Sequence, residues 1–286
     1  MQSNVIYNCT SNVYNLIFHH QPNIEIYMNN QTIVEIQNLQ KTYNKKKVLH
    51  GIDLDITSGQ IIGYIGPNGA GKSTTVKILC GLISDFEGEV SIFGKDLRSQ
   101  TLEIKKHIGY IPENAVLYES LTPMEFMNFI GQMRGLESEV TRIKAEVLMN
   151  LFEMKPNLNQ RIATFSKGMR QKVMICSALL HNPDLIFMDE PLSGLDANSV
   201  IMVKEMLIHL AHEGKTVFYS SHLMDVVEKI SDRIILIDQG KVIADGSFDE
   251  LNKHSNDENL EKMFTRLTGN TNHGEKAEAF INAFEK

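Results

Sequence analysis

An unbroken apolar run, Ile61-Ile62-Gly63-Tyr64-Ile65, passes straight into Gly66-Pro67-Asn68-Gly69-Ala70-Gly71-Lys72-Ser73, with Thr74 next. No other stretch limits the possible folds so strongly. A run of this kind reads as a strand buried on both faces. The pattern GxxxxGK followed by Ser or Thr is a loop that turns such a strand into a helix. Its glycines let the backbone fold tightly around an anion and present N–H groups to it. The helix that begins at Lys72 adds its positive dipole end. Lys72 is placed to reach the outer phosphates of a nucleotide, and Ser73 to hold Mg²⁺.

A second metal ligand is expected on a neighbouring strand. Leu185-Ile186-Phe187-Met188-Asp189 supplies one, four apolar residues ending in a carboxylate, with Glu190 adjacent. Asp189 is expected to hold Mg²⁺ through water. Glu190 is placed to orient and deprotonate an attacking water. That pairing points to a hydrolase rather than a nucleotide carrier.

Around these two motifs strands and helices alternate. Residues 33–36, 51–56, 90–93 and 107–111 read as strands, and residues 72–82 and 123–155 as helical. Val140, Ile143, Val147, Leu148 and Leu151 are spaced for one helical face. A second β/α stretch runs from about 165 to 250, with buried strands at 185–188, 216–220 and 234–237. This alternation predicts an α/β fold with a largely parallel sheet. In the tail, 257–286, two apolar stripes (Leu260, Met263, Phe264, Leu267, then Ala277, Phe280, Ile281, Phe284) flank a Gly/Asn linker at 269–274. They read as short helices that dock on this chain or on a partner.

Composition narrows the function. The net charge of −7 disfavours nucleic acid as a partner, which calls for a basic surface. Cys9, Cys80 and Cys176 are scattered and form no CxxC pair, so neither a disulfide framework nor a zinc site is expected, and a reducing compartment follows. No apolar run approaches the roughly 18–20 residues of a membrane span. The first Lys or Arg is Lys41, so neither a secretory signal nor a transit peptide is expected. Two readings of residues 1–27 stand: a disordered leader, or translation that begins at Met28.

Between the two motifs lies Phe165-Ser166-Lys167-Gly168-Met169-Arg170-Gln171. Here the chain, over roughly residues 32–250, resembles the ATP-binding subunit of an ABC transporter. The motifs occur in that family's order. Tyr43 matches the aromatic that stacks on adenine, and Glu113, in Gly109-Tyr110-Ile111-Pro112-Glu113, stands where the family carries a glutamine that meets the metal. Ser166, Lys167, Gly168 and Met169 take the place of the signature, FSKGM for the usual LSGGQ. Ser193-Gly194-Leu195-Asp196 matches the D-loop, and His222, in Ser220-Ser221-His222, the switch histidine. The Glu113 and SKGM departures resemble the branch that exports drugs and sodium.

The resemblance implies a P-loop ATPase core (32–112 and 171–250) that contains an antiparallel β subdomain. It also implies an inserted helical subdomain with the signature (113–170), an N-terminal extension (1–31) and a helical tail (251–286). It implies ATP and Mg²⁺ as ligands, with Gly66 to Thr74 on the phosphates, Ser73, Glu113 and Asp189 on the metal, and Glu190 as base with His222 sensing the γ-phosphate. The signature of one copy would cap ATP held by a second copy in a head-to-tail dimer, with Asp196 coupling the two sites. A separate permease, gripped by residues around 118–133, would hold the subunit on the inner face of the cell membrane. A soluble ABC-type ATPase of cofactor assembly or translation is the alternative. A GTPase switch would need an NKxD element, whereas Asn252-Lys253 is followed by His254-Ser255.

Overall fold

The computed structural model describes residues 31–114, 116–253 and 259–269. The chain begins with a long hairpin, β1 (Thr32–Tyr43) and β2 (Lys46–Thr57), closed by Asn44 and Lys45, both at positive φ. Then come β3 (Ile61–Ile65), α1 (Lys72–Leu79), β4 (Glu87–Ile92), β5 (Lys95–Asp96), α2 (Thr101–Lys106) and β6 (Ile108–Ile111). Two helices follow, α3 (Pro123–Met133) and α4 (Ser138–Leu151). The second half runs α5 (Lys167–Leu179), β7 (Leu185–Asp189), α6 (Ala197–His212), β8 (Thr216–Ser220), α7 (Met224–Ile230), β9 (Arg233–Asp238), β10 (Lys241–Gly246), α8 (Phe248–Asn252) and α9 (Leu260–Leu267).

Two sheets result. The larger has the order β10-β9-β3-β8-β7-β6 and is parallel except for β10, which pairs antiparallel with β9. The smaller, β2-β1-β4-β5, is antiparallel throughout. The apolar runs of β3, β7, β8 and β9 make sense once both faces of the larger sheet are seen to be covered. Ile62, Tyr64, Phe187, Phe218, Ile235 and Ile237 enter a core shared with the antiparallel sheet and α1. Their neighbours Ile61, Ile65, Ile186, Met188, Val217, Tyr219, Ile234 and Leu236 enter a second core shared with the helices from α3 onward.

Several elements differ from the sequence reading, each for a local reason. β1 runs on to Tyr43 rather than stopping at Ile36, because Asn38 at φ 49 makes a bulge that breaks the alternation and then restores it. Helix α1 ends at Leu79, where Gly81 in the left-handed region turns the chain. The helical stretch 123–155 splits at Gly135, which has φ 75. Its first half starts on a capping box between Thr122 and Glu125. The buried face of α4 is also rotated: Thr141, Lys144, Ala145, Leu148 and Met149 point inward, and of the five apolar residues spaced for one face only Leu148 is fully buried. Thr141 fits because Gly131 of α3 has no side chain; a Cβ there would stand 2.4 Å from the Thr141 Oγ1. Lys144 fits because its ammonium donates to the Leu180 carbonyl at 3.3 Å. Neighbouring helices, not hydrophobicity along one helix, chose the face.

The first tail stripe forms α9, capped by Asn259. Leu260 and Met263 are fully buried against the core that also holds Val226 and Val227 of α7, and the Leu260 N–H donates to Glu228 at 2.9 Å. The tail thus docks on its own chain over this stretch. Residues 1–27 and the second stripe (Ala277, Phe280, Ile281, Phe284) lie outside the described residues. Among the described residues no helix is long and apolar enough to cross a membrane.

Candidate functional site

The loop Gly66 to Ser73 connects the end of β3 to the start of α1. Gly66 and Gly71 are there by necessity. A Cβ on Gly66 would stand 2.2 Å from the Ile237 carbonyl oxygen. Gly71 has φ 110, and its Cβ would meet Leu49 at 2.5 Å. No side chain caps α1 and no acid lies in its first turn. Its N–H groups therefore face the loop with a positive dipole end, a cradle suited to phosphate. The Lys72 ammonium is buried and donates to the carbonyls of Gly66 at 2.6 Å and Pro67 at 3.2 Å. Burial lowers its pKa from the ordinary lysine value, and Glu190, Asp189 and Glu113 oppose that shift.

Asp189 closes β7 in a fully buried strand, opposite Ser220 of β8. The Ser220 hydroxyl is buried and has no hydrogen-bond partner among the described residues. An orphaned hydroxyl beside a buried carboxylate fits a hydrated cation. Ser73, Asp189 and Glu113 are all oxygen donors, the set that Mg²⁺ prefers. Glu113 follows β6 at the same end of the sheet and is solvent-exposed.

Glu190 has φ 49, a left-handed conformation that is strained for a non-glycine residue. Its N–H donates to the Ser220 carbonyl at 2.9 Å. This turn aims the carboxylate at the residues after β8: Nδ1 of His222 lies 2.7 Å from Glu190 Oε2, and the Ser221 hydroxyl donates to the same oxygen at 3.3 Å. Residues 32 apart in sequence thus share one hydrogen-bonded unit.

Tyr43 lies at the end of β1 on the rim of a cleft of about 540 Å³ whose other side is formed by Asn68, Gly69 and Gly71 to Thr74. Aromatic ring and phosphate cradle face one cavity. The Ser166 hydroxyl caps α5 by accepting from the Met169 N–H at 3.2 Å. Lys167, Gly168 and Met169 form its first turn. None of these four residues lines the cleft. The structure instead brings this helix against the segment after Glu190. Lys167 donates to the Ser193 hydroxyl at 3.1 Å, Gln171 to the Pro191 carbonyl at 3.1 Å, and Lys172 pairs with Asp196 at 2.9 Å. Asp196 also accepts from the Ser199 backbone and hydroxyl, and these bonds with Lys172 hold its carboxyl well below the usual carboxylate range.

Sequence reasoning missed two contributors. The β9–β10 turn braces the loop: the Gly240 N–H donates to the Ala70 carbonyl at 2.9 Å, its own carbonyl accepts from His50 at 2.9 Å, and Gln239 lines the cleft. The Gln239-Gly240 pair between two apolar runs is a hairpin signal that could have revealed it. Gln171 and Lys172, which tie α5 to the segment after the base, had only helical spacing as a signal.

The chain is similar to known proteins in sequence and in fold. Residues 49–193 match the family described as ABC transporter. The linearmycin resistance ATP-binding protein LnrL of Bacillus subtilis (strain 168) is 36% identical over 219 residues, covering 77% of this chain and 70% of that protein. The ABC transporter ATP-binding protein NatA of the same organism is 36% identical over 225 residues, 77% and 92% of the two chains. The daunorubicin/doxorubicin resistance ATP-binding protein DrrA of Streptomyces peucetius is 34% identical over 218 residues, 76% and 66%. Among solved structures, an ATP-binding subunit of an ABC transporter superposes with a TM-score of 0.78 at 32% identity, covering 83% of this chain and 100% of that one. A dimeric post-hydrolysis state of the ATP-binding cassette MJ0796, bound to ADP and Pi, gives a TM-score of 0.71 at 27% identity, covering 75% and 98%.

Proposed function

The chain belongs to the ABC transporter family, as an ATP-hydrolysing ATP-binding subunit, and from that premise we propose that two copies sandwich ATP head to tail and drive export through a separate permease. The observation that carries the catalytic part is the convergence of Lys72, Asp189, Glu190 and His222 at one end of the parallel sheet. Lys72 and the N–H groups of Gly66 to Thr74 hold the phosphates, and Tyr43 stacks on the base. Ser73, Asp189 and Glu113 would hold Mg²⁺, which when bound would supply positive charge against the phosphates. Glu190 accepts the proton of the attacking water. His222, bonded to Glu190 at 2.7 Å, orients that carboxylate and reports the γ-phosphate.

Ser166 and Gly168 of one copy cap the nucleotide held by the other, a two-fold symmetric arrangement in which each copy completes its partner's site. Loss of the γ-phosphate removes the bridging contacts and opens the pair. Asp196 couples the two sites through its tie to Lys172 on the signature helix. In this reading residues 32–112 and 171–250 form the ATPase core, 113–170 the helical subdomain, 251–286 the tail and 1–31 an extension.

The helical subdomain supplies the permease contact. Tyr118 and Phe129 are exposed and meet edge to face with centroids 5.7 Å apart, and Met133 is exposed on the same helix as Phe129. Such an apolar patch suits a partner's helix. The subunit then sits on the inner face of the cell membrane through that contact. The resistance proteins among the relatives support export as the direction.

The test of the catalytic reading is Glu190→Gln. It should bind ATP, lose about 10²- to 10⁴-fold in turnover and accumulate ATP-bound dimers on size-exclusion chromatography. Near-normal phosphate release would remove Glu190 as the base. Crosslinking from position 118 or 129 in membranes should capture the permease; capture only from other faces would reject the contact.

A further inference from the structure

Lys41 is a lysine almost completely removed from solvent, 5% exposed, in the first strand of the chain. Burying an ammonium is costly unless it is paired. Here it donates to the Asp85 carboxylate at 2.8 Å and to the Asp85 backbone carbonyl. That bond lowers the Asp85 carboxyl pKa. Lys41 and Tyr43 are two residues apart on a strand and so face the same side. The ammonium stands 4.8 Å from the centroid of the Tyr43 ring. Tyr43 itself is 41% exposed on the rim of the nucleotide cleft.

We propose that Lys41 is a positioning residue for purine recognition: clamped by Asp85, its ammonium fixes the Tyr43 ring from behind and leaves the other face to stack on the base. The inference rests on the reading of Tyr43 as the base-stacking residue. Two physical effects follow. A cation over one face of an aromatic ring holds it in place, so less side-chain freedom is lost when the nucleotide arrives. The cation also draws π density toward itself, which makes the opposite face less repulsive to an electron-rich purine.

The chain contains no tryptophan, so Tyr43→Trp creates a single tryptophan at the stacking position, selectively excited at the red edge of its absorption. In the full-length protein, ATP should quench this fluorophore with a defined midpoint. Adding Lys41→Met should raise that midpoint about fivefold. In the natural Tyr43 background Lys41→Met should raise KM for ATP by a similar factor, with the loss in KM rather than kcat. Lys41→Arg, which keeps a cation over the ring, should restore both. Asp85→Asn, which leaves the Asp85 backbone carbonyl to accept from the ammonium, should move the midpoint in the same direction as Lys41→Met, with an unchanged far-UV spectrum checking that the variant is folded. An unchanged midpoint in Lys41→Met and Asp85→Asn, with the ATP quench intact, overturns the role of Lys41 alone. Absence of any ATP response in Tyr43→Trp overturns the stacking reading and the proposal with it.

Discussion

Gly168→Ala adds one methyl group where the structure has no room for it. Gly168 lies in the first turn of α5, and a Cβ there would stand 2.5 Å from the Gly194 carbonyl oxygen. Ordinary contact begins near 3.4 Å. The signature helix and the segment 191–196 must therefore part by about 0.9 Å, against the ties made by Lys167, Gln171 and Lys172. That segment begins at Glu190, so the displacement is delivered to the base. A misplacement of about 1 Å at a reacting centre costs on the order of 100-fold in rate. Folding should suffer much less. Alanine favours a helix over glycine by up to ~1 kcal/mol, and overpacking costs ~1–3 kcal/mol. The net loss is within about 2 kcal/mol, a fall in Tm of a few degrees for a chain of this size. The assay pairs steady-state phosphate release with equilibrium nucleotide binding. Turnover should drop on the order of 100-fold, while ATP affinity of the isolated single copy, to which no second signature contributes, stays within about twofold because the loop 66–74 is untouched. Turnover within threefold of the parent, or a fall in Tm above ~10 °C, would show that helix and segment do not act as one rigid unit.

Two further outcomes follow from the packing. His181 is buried, with its Nε2 against the Ile108 carbonyl at 3.0 Å; burial and the nearby Arg134 push its pKa down to about 4 from 6.5. The unfolded chain takes the proton at the higher value, so stability is full above pH ~6.5 and falls by up to roughly 3 kcal/mol toward pH ~4. Denaturant unfolding should show that slope, reduced in His181→Gln; equal slopes in the two proteins would assign it elsewhere. Met263 is fully buried where α9 meets the core. Met263→Ala should cost ~2–3 kcal/mol, at the low end for a buried methionine because a short terminal helix can undock; a change under ~0.5 kcal/mol by the same unfolding measurement would mean that α9 is not docked in solution.

Much of the site was legible one residue at a time. The strand-to-helix loop at Gly66 to Ser73 carries its own chemistry, since close backbone turns, a cation and a hydroxyl are local properties. The apolar run into Asp189 and Glu190 was readable for the same reason. Strands β3, β7, β8 and β9 were marked by continuous hydrophobicity, because both their faces are covered. The β1 extension, the rotated face of α4 and the β9–β10 brace were not legible. A bulge at Asn38, a missing side chain at Gly131 and a hydrogen bond from Gly240 to Ala70 each depend on a neighbour in another element.

By itself, then, the amino-acid order determined the chemistry available to this protein: an anion cradle, acids at a strand end, an aromatic at position 43, a helix opened by Ser-Lys-Gly. Only the tertiary structure decided how those groups meet. It set Glu190 in a strained turn against His222, put Lys41 behind Tyr43, and fastened the signature helix to its own 191–196 segment rather than to the cleft. The reason is range. Backbone preference and hydrophobic period act over a few residues, whereas an ion pair or a close approach requires two distant segments to occupy adjacent space, and packing of the whole sheet against its two cores selects which ones do.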